Sequence, residues 1–68
     1  MADDLVHIYS IGNLYMAELV KQMLTDHNIH SFIVNKQDSA YKFGDIEIYV
    51  QRDNVIRAKM LIREFEEN

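Results

Sequence analysis

Three histidines are the first residues that could do chemistry: His7, His27 and His30. His27 and His30 lie close in sequence, and one turn of chain could bring both near Asp26. A stable zinc site wants three or four converging ligands. His7 sits on a different segment with no reason to point there, and the chain has no Cys. The expectation is therefore no metal and no cofactor, with His27 placed favourably at a helix C-terminus. Ser10, Ser31 and Ser39 lack the flanking turn of a nucleophile elbow. Gly12 and Gly44 stand alone, so no glycine-rich loop cradles a phosphate. Glu64, Glu66 and Glu67 read as a solvated tail rather than a converging pair of carboxylates. No reaction is expected of this sequence.

The elements that must position these residues read clearly. Leu5 to Ser10 is a β-branched and aromatic run, a first strand. Ile11-Gly12-Asn13 is a turn, with Asn13 a helix N-cap. From Leu14 to His27 the apolar period becomes helical. Met16, Ala17, Leu19, Val20, Met23 and Leu24 share one face, and Leu14 and Tyr15 point away from it. Asn28 can take the left-handed conformation that ends a helix. His30 to Asn35 is a second strand, and residues 36–45 form a polar loop. Ile46 to Gln51 alternates at period two, a third strand with one buried face. Asp53 is placed to cap a second helix running to about Glu66, with Val55, Ala58, Leu61, Ile62 and Phe65 as its buried stripe. Ile56 and Met60 lie opposite that stripe.

The order is β-α-β-β-α, an α+β fold. A right-handed crossover makes the first two strands parallel in one sheet. The third strand, hairpin-linked to the second, slots between them. The predicted architecture is a ferredoxin-like half-sandwich lacking its fourth strand, with sheet order 1-3-2 and both helices on one face. At 68 residues the whole chain, 1–68, is one small domain. With no Cys to form disulfides or the common zinc-finger ligand sets, packing must stabilise it.

The net charge is −4, from seven Lys/Arg against eleven Asp/Glu. Nucleic acid is then a poor default partner, because affinity for it rests on phosphate neutralisation. No apolar run approaches the ~20 residues of a membrane span. The opening Met1-Ala2-Asp3-Asp4 does not resemble a signal peptide, so the cytoplasm is the expected compartment and no membrane contact is expected.

The chain resembles the prokaryotic "putative signal-transducing protein" family, grouped with the PII-like folds. The likeness rests on Ala17-Glu18 and Met23-Leu24 in the first helix, on Asn28-Ile29 where the family has Gly-Ile, and on Ile48-Tyr49-Val50. The acidic residue Asp53 and the helical Ala58 and Leu61 complete it. Asn28 for Gly is a departure that serves the same backbone purpose. The resemblance implies signalling by analogy of fold and supplies no catalytic or ligand residues. It also implies that the loop between strands two and three contacts an effector, as in the PII-like group.

Two surfaces are candidates for binding. Strict alternation turns Val6, Ile8, Phe32, Val34, Ile46, Ile48 and Val50 toward the helices. It turns Leu5, His7, Tyr9, Ile33, Glu47 and Tyr49 outward, an open face too apolar for a purely solvated surface. From that face His7, Tyr9, Ile33 and Tyr49 are the candidate interface. The outer edge of the first strand, free of Pro and Lys, invites a homodimer or a protein partner. The second candidate is the 36–45 loop, where Lys36, Tyr41, Lys42 and Phe43 pair aromatic with basic side chains. The expected function is a non-enzymatic regulatory module working through protein or small-ligand contacts. The alternative is a nucleic-acid-binding domain that stacks bases on Tyr9 and Tyr49, as RNA-recognition domains do on a similar sheet.

Overall fold

The computed structural model describes residues 4–37 and 44–67. Strand β1 (Leu5–Ile11) leads into helix α1 (Leu14–Asp26) and strand β2 (Ser31–Asn35). Strand β3 (Ile46–Gln51) then passes through a 3-10 turn (Arg52–Asn54) into helix α2 (Val55–Glu67). The sheet order is β1-β3-β2, with β3 antiparallel to both neighbours. The predicted β-α-β-β-α order and strand arrangement are therefore correct.

The helix ends show why the elements stop where they do. Asn13, in an extended conformation, accepts the Met16 N–H on its side chain and so supplies a partner that α1 lacks. At the other end Asn28 has φ of 64°. The Asn28 and Ile29 N–H groups donate back to Thr25 and Leu24 carbonyls, each at 2.9 Å. This left-handed cap brings Ile29 back against Leu24, and both are fully buried. Arg57 on α2 donates to the His27 carbonyl at 2.7 Å, placing a cation at the negative end of α1. Asp53 does not act as a simple cap: it lies inside the 3-10 turn that winds into α2.

The core lies between the sheet and the helices. Ala17, Val20 and Leu24 of α1 and Ala58 and Ile62 of α2 pack onto Ile46, Ile48 and Val50 of β3, with Ile29 beneath α1's end. Val55, Leu61 and Phe65 are half-buried at its margin, as the apolar stripe of α2 predicts. Ile56 is 83% exposed and Met60 is 48% exposed on the outer side of the same helix.

Two expectations about the sheet faces are corrected. In β1 a bulge falls between His7 and Tyr9, so His7 is opposite Tyr49 but Tyr9 is opposite Ile48. The extra residue reverses the alternation. Tyr9 and Ile11 consequently turn toward the helices, not outward. In β2 the register sets Ile33 opposite the buried Ile48, and sets Phe32 and Val34 opposite Tyr49 and Glu47. Ile33 thus packs against the core, while Phe32 and Val34 are 38% and 41% exposed on the open face. The run Phe32-Ile33-Val34 is apolar throughout, so its period gives no sign of which side is buried; pairing with β3 decides it.

Candidate functional site

The open face of the sheet carries the most organised set of accessible side chains. Register across the three strands builds it: Leu5, His7 and Ser10 from β1, Glu47, Tyr49 and Gln51 from β3, Phe32 and Val34 from β2. One row crosses the whole sheet. The His7 and Tyr49 rings lie 5.5 Å apart, Phe32 stands directly opposite Tyr49, and His30 stacks on Phe32 at 4.9 Å. Such ring pairs are stabilising beyond the area they cover. They also hold flat, adaptable surfaces in fixed positions.

A polar cluster borders this row. The Tyr49 hydroxyl donates to Glu47 Oε1 at 2.8 Å, and Lys36 Nζ lies 3.2 Å from the same oxygen. The Tyr49 hydroxyl, with help from Lys36, holds the Glu47 carboxyl below its ordinary value. The same hydrogen bond pushes the Tyr49 phenol up. Glu47 is therefore an anion and Tyr49 a neutral donor at neutral pH. His7 Nε2 and Ser10 Oγ are 2.7 Å apart at the β1 side.

The sequence-predicted interface residues separate into two places. His7 and Tyr49 sit together on the open face, whereas Tyr9 and Ile33 are on the helix side. Phe32, Val34 and His30 belong to the face, and sequence alternation missed the first two because it assigned them to the core. The stacking of His30 on Phe32 carries no sequence signal, since both residues are ordinary at strand starts. Of the loop candidates, Lys36 is described and pairs with Glu47. Tyr41, Lys42 and Phe43 lie outside the described residues.

The base of that loop is fixed. The Lys36 N–H donates to the Asp45 carbonyl at 3.0 Å, and Gln37 Nε2 reaches the Gly12 carbonyl at 2.7 Å. Gly44 has φ of +98°, and a Cβ there would sit 2.4 Å from the Lys36 carbonyl oxygen. Only glycine fits that closure without a shift of backbone.

On chemistry the face is limited. No group of three or more His, Asp or Glu among the described residues could hold a metal ion. Among the described residues no helix is long and apolar enough to cross a membrane. The arrangement offers stacking, apolar contact and a few hydrogen bonds on a sheet face that no described element covers, which is chemistry suited to recognition.

A family model described as "Putative prokaryotic signal transducing protein" matches residues 5–66. No curated protein and no solved structure gives a significant match.

Proposed function

The chain belongs to the family so described, and on that premise we propose that it is a non-enzymatic regulatory module that contacts a protein partner through its open sheet face. One observation carries this reading: the continuous row His7, Tyr49, Phe32 and His30 on a face that no element of the described chain covers. Apolar and aromatic surface exposed together in one patch marks an interaction site more often than scattered residues do.

Size decides the kind of contact. Three strands at ~4.8 Å spacing and six residues at ~3.3 Å make a face of about 14 by 20 Å. That footprint of about 300 Å² is well below the ~800 Å² per partner of a stable interface. The face alone suits a transient signalling contact. A tighter complex must also take in neighbouring surface, and the outer edge of β1 is the adjoining one. That edge presents backbone donors and acceptors from Leu5 to Ile11, with no Lys or Pro to repel an added strand.

The aromatic row also has the chemistry to stack bases. The net charge of −4 and the anionic Glu47 beside Tyr49 weigh against a phosphate backbone there. Two measurements test the reading together. Amide hydrogen exchange in the presence of a captured partner should slow along β1 and β3, and a single-stranded RNA titration should show no salt-dependent binding. RNA binding that weakens steeply with salt would replace the protein-partner reading with the nucleic-acid one.

A further inference from the structure

On the opposite side of the sheet a groove of about 690 Å³ lies between β1, the first turns of α1 and the last turn of α2. Its size falls within the range of about 300–1,000 Å³ typical of small-molecule sites. Ile11, Met16, Val20 and Phe65 give it apolar walls. Tyr9 and Glu66 supply its polar groups. The β1 bulge places Tyr9 on this side of the sheet, where it lines the groove.

The polar pair is oriented. The Tyr9 hydroxyl donates to Glu66 Oε2, tying the end of α2 to β1. The hydrogen bond to Glu66, together with burial, pushes the Tyr9 phenol up, so it stays a neutral donor. One carboxylate accepts several hydrogen bonds, and Tyr9 uses only one oxygen. Glu66 Oε1 has no partner among the described residues, and Glu66 lines the groove. Among the described residues the ion pair is Lys36 with Glu47, and no Lys, Arg or His pairs with Glu66. An anion would meet this carboxylate and a chain of net charge −4. A cation would meet the carboxylate, two aromatic rings and a thioether, all of which favour positive charge or soft contact.

We propose that this groove binds a small amphipathic cation, with its apolar body along Ile11, Met16, Val20 and Phe65 and its ammonium group on Glu66. The site is separate from the open face, so it supplies a small-ligand input that does not depend on the protein-partner reading.

Hexylammonium, hexanoate and 1-hexanol are the probes, titrated into the full chain and followed by NMR at the Met16 methyl and the Phe65 and Tyr9 rings. Hexylammonium should shift these signals saturably and bind roughly tenfold more tightly than hexanoate, as one charge-assisted contact implies. Glu66→Gln should remove that preference while leaving 1-hexanol binding unchanged. Met16→Lys, which places a cation in the groove, should abolish hexylammonium binding. It gives a second readout if Glu66→Gln melts too early to titrate. Equal binding of hexanoate, shifts confined to His7 and Phe32, an unchanged preference in Glu66→Gln or no saturable shift at all would each overturn the proposal. Loss of partner contact in open-face variants would leave these results untouched.

Discussion

The two faces of this sheet use the same three strands and reach opposite ends. The covered face is closed by branched aliphatic side chains: Ile46, Ile48 and Val50 are fully buried under Ala17, Val20, Leu24, Ala58 and Ile62. The open face is aromatic and edged by charge, with His7, Tyr49, Phe32 and His30 in one row and Lys36 on Glu47 beside it. Stability comes from the first, because burial of apolar area is the dominant favourable term. The second adds little to stability, since its groups still reach water. Residues there are free to be chosen for what they touch.

The largest expected difference between the faces comes from placing a charge on each. Ile48→Asp puts an unpaired carboxylate in the core, which costs several kcal/mol, comparable with the ~3–5 kcal/mol available to a domain this size. It should abolish the cooperative thermal transition seen by circular dichroism. Val34→Lys places a cation opposite Glu47 on the open face and should stay within about 1 kcal/mol of wild type. A Val34→Lys protein that fails to fold would show that Val34 is buried after all.

The tyrosines sharpen the same contrast. Tyr9 joins β1 to the end of α2 through Glu66, whereas Tyr49 bonds Glu47 two residues away on its own strand. Tyr9→Phe should cost about 1 kcal/mol in urea unfolding, because it unties two distant elements. Tyr49→Phe should be neutral within about 0.5 kcal/mol. The reverse order would mean that the open face stabilises the fold.

A gain should follow on the covered side. Ser31 is 2% exposed, and its hydroxyl has no hydrogen-bond partner among the described residues. Ser31→Ala removes that buried polar group at almost no loss of volume and should raise stability by about 1 kcal/mol. A drop in melting temperature would show that the hydroxyl is satisfied.

The smallest effect is electrostatic. The Tyr49 hydroxyl and Lys36 hold the Glu47 carboxyl below its ordinary 4.5. The folded state therefore binds this proton more weakly than the unfolded state. The associated stability is present above pH 4.5 and is lost as the pH falls through the folded value, below 4.5. Melting temperatures measured between about pH 3 and 6 should fall less steeply on the acid side in Glu47→Gln than in wild type. Identical slopes would remove Glu47 from the acid response.

Much of this fold is legible in the sequence. Asn13 and Asn28 mark the ends of α1 by side-chain chemistry and backbone freedom, and the helical stripes of α1 and α2 name their buried sides, except that Leu19, read as part of the α1 stripe, is 37% exposed at its margin. Period-two alternation in Ile46-Glu47-Ile48-Tyr49-Val50 orients β3 correctly. The faces of β1 and β2 are not legible, for two separate reasons. A single bulge at Ile8 moves Tyr9 to the other side, and nothing in Leu5–Ile11 announces it. In β2 three apolar residues run together, so only pairing with β3 separates Ile33 from Phe32 and Val34. The candidate face was thus half visible: His7 and Tyr49 could be read directly, while Phe32 required the register.

The central claim is that recognition belongs to the open face. Affinity capture from a native-cell lysate tests it most directly, using wild type, Phe32→Lys and Ile56→Lys with matched melting temperatures. Phe32→Lys alters the aromatic row, and Ile56→Lys alters the exposed outer side of α2. A protein retained by wild type and by Ile56→Lys but lost by Phe32→Lys is the predicted result. Retention by Phe32→Lys with loss by Ile56→Lys would place recognition on the helices and contradict the account.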